Sequence, residues 1–166
     1  MNLGVIMGGM STEHNVSIVS GTSIIKNLNK EKYNIFPIYI DLEGRWYKYT
    51  RPLEEIEVLQ VGEEPKELEK IDNEIEYLRK MDVVFPALHG LYGEDGTIQG
   101  LLELLKIKYV GCKVLASSVS MDKVYTKVLF EKAGIPQANY IYIKACNNTY
   151  TCLLYTSPSP RDGATS

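Results

Sequence analysis

His89-Gly90-Leu91-Tyr92-Gly93-Glu94-Asp95-Gly96 is the stretch on which the reading of this chain turns. Before it, Val83-Val84-Phe85-Pro86-Ala87-Leu88 is an apolar run of strand length. After it, Thr97-Ile98-Gln99-Gly100-Leu101-Leu102-Glu103-Leu104-Leu105 reads as a helix. Three glycines in the stretch let the backbone turn sharply and approach a ligand without interference from Cβ atoms. A histidine and two carboxylates sit among them. In open α/β sheets ligands bind at the carboxyl ends of the strands, where a strand-to-helix loop lies. The same residues also fit a plain glycine-rich turn with its charges in water, and spacing alone does not separate the two.

Working outward, Leu3 to Met7 is a strand that ends in the turn Gly8-Gly9. Ser11 or Thr12 is expected to cap the helix that follows, with Glu13 in its first turn facing the positive helix end. Ile18, Ile25 and Leu28 recur at helical spacing, and Gly21 on the same stripe would let that helix lie close to a sheet. Tyr33 to Ile40 is a second strand, rich in Ile, Tyr and Phe. Strand, helix, strand implies a right-handed parallel crossover. Arg45 to Tyr49 reads as a short strand. Pro52 to Glu69, charged and weakly periodic, reads as a surface excursion with little fixed structure. Leu68, Ile71, Ile75 and Leu78 have the spacing of an amphipathic helix. Lys108 to Gly111 is a short strand and turn. Beyond it Asp122 is a good N-cap for a helix from Lys123 to Lys132, which Gly134 and Pro136 terminate. Tyr140 to Ile143 begins another strand. The expected fold class is α/β, a Rossmann-like parallel sheet flanked by helices.

Composition narrows the function. The chain has 166 residues, 45% hydrophobic and 23% charged, with a net charge of −3. No basic field invites nucleic acid. No apolar run reaches the ~18 residues of a membrane span, and the amino terminus lacks the pattern of a signal peptide. Cys112, Cys146 and Cys152 form neither a zinc spacing nor a disulfide framework, which fits a cytoplasmic protein with free thiols. The segment from Cys152 to Asp162 matches the translation of the transposon-end adapter used in DNA library preparation. Residues 152–166 are therefore expected to be a non-native tail.

Three motifs in order carry a family resemblance. They are Gly8-Gly9-Met10-Ser11-Thr12-Glu13-His14-Asn15-Val16-Ser17, then Ala87-Leu88-His89-Gly90-Leu91-Tyr92-Gly93-Glu94-Asp95-Gly96-Thr97-Ile98-Gln99-Gly100, then Ser120-Met121-Asp122-Lys123. Followed by Ala133-Gly134-Ile135-Pro136, they resemble the D-alanine–D-alanine ligases of the ATP-grasp superfamily. Asn15 departs from the pattern, since many members carry an acid there. The resemblance covers residues 1 to about 150. It implies a pre-ATP-grasp domain at 1–115 and the truncated start of an ATP-grasp domain at 116–151.

The resemblance also implies roles. Glu13 matches the residue that binds the ammonium of the first D-alanine; as a bare residue it is also a plausible helix-start charge. Val16 matches a neighbour of that substrate and equally suits helix core. His89 matches the histidine near the substrate carboxylate and acyl phosphate, or is a structural loop histidine. Glu94 and Asp95 are expected to brace the loop and cap the helix near Thr97. Lys123 matches a lysine on the ATP phosphates, or is an exposed surface lysine. Glu13 and His89 are thus the implied catalytic residues, Glu13, Val16 and His89 the implied substrate-binding set, and Lys123 the implied ATP contact. ATP and Mg2+ are the implied cofactors, with the Mg2+ ligands absent from this chain and no metal assigned to it. D-alanine and ATP are the implied partners, and the full enzyme is expected to be a homodimer. D-lactate or D-serine as second substrate stays open, because the selecting residues are absent. The truncated chain is expected to be inactive alone. A stand-alone nucleotide- or amino-acid-binding module is the rival reading. An NAD(P)-binding domain fits less well, since Asp41 supplies an acid but Gly8-Gly9 lacks the fingerprint spacing.

Overall fold

The computed structural model describes residues 1–144 and 151–155, with side chains through Tyr140. The chain divides into two compact units between Ser118 and Val119.

The first unit is built on a six-stranded sheet. Its strands are β1 (Asn2–Gly8), β2 (Asn34–Ile40), β3 (Trp46–Tyr49), β4 (Leu68–Lys70), β5 (Val83–Pro86) and β6 (Lys108–Tyr109), in the order β4-β3-β2-β1-β5-β6. β1 lies parallel between β2 and β5, and β6 adds parallel to β5. β3 and β4 extend the other edge through antiparallel pairings. Three helices pack on this sheet: α1 (His14–Asn27) after β1, α2 (Glu74–Leu78) before β5, and α3 (Thr97–Leu104) after β5. The order changes direction at β1, so a crevice opens at the carboxyl ends of β1 and β5.

Strand alternation builds two cores, one on each face. Leu3, Val5 and Met7 pack with Ile25, Ile35, Ile56 and Ala87 on the α1 face. Ile6 packs with Ile38, Ile40, Val84, Leu88 and Leu102 on the other. Because both faces are covered, β1 is apolar from Leu3 onward rather than alternating. Gly21 sets the depth of α1, as its place on the stripe suggested: a Cβ there would lie 2.5 Å from the Cβ of Met7.

Two expectations are corrected. The stretch from Leu68 to Leu78 is not one helix. Leu68–Lys70 pairs as β4 with Tyr47, Lys48 and Tyr49. The Asn73 side chain then accepts the Glu76 N–H and starts α2 only at Glu74. Ile71 and Leu78 are buried, but Ile75 is exposed, so a strand end, a turn and a short helix meet a spacing that mimics one helix. The excursion from Pro52 to Glu69 is anchored rather than loose. Leu53–Glu55 makes a 3-10 turn, and Ile56 is buried in the α1-side core. The Leu59 N–H donates to Thr22 Oγ1 at 3.1 Å, and the Tyr39 hydroxyl to Glu64 at 2.5 Å. Buried Ile56 and Pro65 and a few hydrogen bonds hold a segment whose composition is charged.

Helix α4 (Val114–Met121), which runs across the division, is not among the expected elements. It holds three serines, Ser117, Ser118 and Ser120. Its Ser117 Oγ donates to the Cys112 carbonyl, and its Ser118 Oγ to that of Asp95. In the second unit α5 (Lys123–Lys132) starts and stops where expected. The Asp122 carboxylate accepts the N–H groups of Val124 and Tyr125. β7 (Tyr140–Lys144) pairs antiparallel with β8 (Thr151–Tyr155). Most of β8 lies in the stretch expected to be a non-native tail. Cys146 and residues 156–166 lie outside the described residues. Among the described residues no helix is long and apolar enough to cross a membrane.

Candidate active site

The site begins where β1 ends. Gly8 has φ +88°, and a Cβ there would lie 2.2 Å from the Ile40 carbonyl oxygen, so only glycine fits this turn. The Gly9 N–H donates to that same carbonyl at 2.8 Å. Ser17, fully buried on α1, joins the two central strands with one hydroxyl: Oγ accepts the Gly8 N–H at 2.8 Å and donates to the Ala87 carbonyl at 2.7 Å. Such bonds contribute about 1 kcal/mol each, and more is lost if a buried partner is left unpaired.

The expected N-cap is also corrected. α1 starts at His14, and Glu13 occupies the capping position without a side-chain cap bond. Ser11 Oγ accepts the Glu13 N–H at 3.1 Å and donates across to the His89 carbonyl at 2.7 Å. Ser11 therefore ties the two loops together instead of capping, and the exposed Glu13 carboxylate, with no cap bond to its helix, lies beside the second loop.

The second loop is braced by its own acids. The Gly90 N–H donates to Glu94 Oε2 at 2.8 Å. Asp95 accepts the N–H groups of Tyr92 and Thr97, each at 2.9 Å. Burial opposes ionisation of Asp95, but these amides outweigh it and hold its carboxyl below the usual range. Tyr92 takes φ +65°, a costly conformation for a non-glycine residue that its bond to Asp95 helps to hold. Gly90 touches the first loop: a Cβ there would lie 3.4 Å from Glu13 Oε1.

His89 is half-buried between the loops. Its Nε2 lies 2.9 Å from Ser20 Oγ, and its Nδ1 lies 3.8 Å from Glu94 Oε1. Donor atoms of Glu13, His89 and Glu94 all fall within 4.8 Å of one another. Two carboxylates around a small gap attract a compact cation such as an ammonium, and the imidazole can donate to an oxyanion beside it. A hard, oxygen-seeking magnesium ion suits this mixed set poorly. An apolar cavity of about 160 Å3 adjoins the loop, walled by Gly9, Met10, Trp46, Leu88, His89 and Leu91. A more open hollow of about 650 Å3 lies around Met1, Arg79 and Lys106, beside the amino-terminal ends of β1 and β5.

Glu13 and His89 are thus brought together. Val16 is 47% exposed on the first turn of α1, so it does not serve as helix core; Ile18 fills that role. Lys123 belongs to the second unit, exposed at the start of α5. Sequence reasoning gave Ser11 a different role and gave none to Ser17, Ser20 or His14. Buried His14 has Nδ1 at 2.6 Å from the Gly9 carbonyl and Nε2 at 3.2 Å from the Tyr39 hydroxyl. A usable signal existed for Ser17: it stands one turn before Gly21 and two before Ile25, a polar residue on the buried stripe.

Residues 2–112 match the family model described as D-ala D-ala ligase N-terminus. The chain belongs to the D-alanine–D-alanine ligase family. It is 49% identical over 146 residues to a D-alanine–D-alanine ligase of Clostridium novyi, covering 86% of this chain and 42% of that relative. Among solved structures it is similar to the VanG D-Ala:D-Ser ligase of Enterococcus faecalis, with TM-score 0.72 and 38% identity over 88% of this chain and 46% of that one. The D-alanine–D-alanine ligase of Bacillus anthracis, solved in complex with ATP, gives TM-score 0.64 and 34% identity, covering 90% of this chain and 42% of its own. The chain spans less than half the length of the ligases it matches. The Glu13–His89 pair falls inside the matched residues and Lys123 beyond them.

Proposed function

We propose that this chain carries the first-substrate half of an ATP-grasp enzyme that joins two D-alanines for peptidoglycan precursors. The observation that supports it best is the convergence of Glu13 and His89 from two loops onto one small gap. In this reading the Glu13 carboxylate pairs with the ammonium of the first D-alanine, and Val16 packs beside it. The His89 imidazole donates to its carboxylate, which attacks the γ-phosphorus of ATP and displaces ADP. The amine of the second D-alanine then attacks the acyl carbon; phosphate leaves and the amine loses a proton. Fixing the first substrate by both ends lowers the entropic part of the barrier, and cationic contacts stabilise the transferring phosphoryl group.

Lys123 is the residue of this chain assigned to the ATP phosphates. Asp122 already satisfies the amides of Val124 and Tyr125, so the exposed ammonium of Lys123, rather than the helix end, would make the contact. Magnesium bound with ATP would supply further charge neutralisation; its ligands are assigned outside this chain. Use of ATP places the reaction in the cytoplasm, and a homodimer of the full-length enzyme belongs to the same proposal.

The test uses the full-length ligase carrying this segment, incubated with ATP, Mg2+ and D-alanine. Phosphate release dependent on D-alanine, with D-alanyl-D-alanine as product, is expected. Preference for D-serine or D-lactate in the second position, each offered in competition, would reassign the second substrate. Absence of D-alanine-dependent phosphate release would overturn the ligase reading.

A further inference from the structure

The exit of β5 is held by serines rather than by packing alone. Ser17 and Ser20 are one helical turn apart, so they share a side of α1. Ala87 and His89 are two residues apart and share a side of the extended chain. The ladder matches in both steps: Ser17 Oγ bonds the Ala87 carbonyl, and Ser20 Oγ lies 2.9 Å from His89 Nε2. Among the described residues Ser20 is the one group within hydrogen-bond distance of the imidazole.

We propose that Ser20 is a positioning residue for His89, fixing both the orientation of its ring and the nitrogen that carries the proton. The groups facing the ring are Ser20 from α1, Glu94 from its own loop, and Glu13 from the loop before α1. Glu94 Oε1 lies on the Nδ1 side. A bare Nδ1 lone pair there would repel the carboxylate, whereas an N–H attracts it. Glu94 thus favours the proton on Nδ1 in the neutral ring, but it lies beyond hydrogen-bond distance, and only a donor at the other nitrogen holds Nε2 as an acceptor. The Ser20 hydroxyl donates into it, and can reverse to accept when the ring is charged. The hydrogen bond at one nitrogen sets the tautomer at the other. Ser20 thereby aims an Nδ1–H at the gap between the carboxylates. The link to catalysis rests on the substrate role proposed for His89; the tautomer does not.

Long-range proton–nitrogen correlation spectra of the labelled 166-residue chain test this directly. The chain has two histidines, and His14, held by the Gly9 carbonyl, reports on the fold. The neutral His89 ring is expected as Nδ1–H in the natural chain and in Ser20→Thr, and as Nε2–H or a mixture in Ser20→Ala, with His14 unchanged in all three. In the full-length ligase, Ser20→Ala is expected to raise KM for the first D-alanine about fivefold, with recovery in Ser20→Thr. An Nε2–H ring in the natural chain, or no change in Ser20→Ala, overturns the proposal. Loss of the His14 signals in Ser20→Ala would make Ser20 a folding residue and also overturn it. A tautomer shift with unaltered ligase kinetics would support the positioning and remove the substrate role of His89 instead.

Discussion

At the scale of single residues, charge placement governs the site. Glu13 spends no side-chain bond on its helix, so its carboxylate is available to a cationic substrate. Glu13→Gln keeps the shape and removes the charge. In the full-length ligase it is expected to lower kcat/KM for the first D-alanine on the order of tenfold to a hundredfold; steady-state kinetics that match the unaltered enzyme would dismiss the ammonium role. Asp95 gives a prediction in pH. Its folded-state pKa lies below the ordinary value, so its stabilising effect is present above the unfolded pKa of about 4 and is lost as pH falls through the folded value. Urea midpoints from pH 7 to pH 3 are expected to fall less steeply in Asp95→Asn than in the natural chain. Equal slopes would mean that Tyr92 and Thr97 do not favour the ionised form. His89 and Asp95 were visible as candidates in the sequence because both interrupt a glycine-rich loop. Ser20 was not, because a serine on a helix carries no sign of what it faces.

At the scale of elements, α1 shows how local rules and packing compete. Gly→Ala in a helix interior ordinarily stabilises by up to about 1 kcal/mol. At Gly21 the added methyl would fall 2.5 Å from the Cβ of Met7 on β1. Gly21→Ala is therefore expected to destabilise the chain by about 1–3 kcal/mol, read from urea unfolding; a gain in stability would show that α1 can lift from the sheet without cost. The same contest explains the expectations that failed. The Leu68–Leu78 pattern had the right residues buried, Ile71 and Leu78, but hydrogen bonding to β3 claimed its first part for the sheet. Ser11 had the chemistry of a cap, and a carbonyl across the crevice claimed it.

At the scale of the whole molecule, the two units differ in how much they bury. β1 is buried from Leu3 through Gly8, whereas α5 buries none of its residues. Amides opening only with global unfolding lie in well-buried strands, and poorly covered helices open locally at lower cost. Hydrogen exchange on this chain is expected to leave β1 and β5 amides the slowest and to exchange α5 and β7 faster. Equal protection in α5 and β5 would show that α5 is held as firmly as the sheet.

The sequence by itself determined the strand–helix–strand order from β1 to β2, the step from β5 to α3, the glycine turns at Gly8 and Gly90, the placement of α5, and the family motifs. Those depend on residues near one another in the chain, through periodicity, backbone freedom and capping. Only the tertiary structure decided the antiparallel edge of β3 and β4, the anchoring of Ile56, the exposure of Val16, and the meeting of Glu13, His89 and Glu94. Each of these depends on which distant segment supplies the partner, and a one-dimensional pattern does not record the far end of a hydrogen bond.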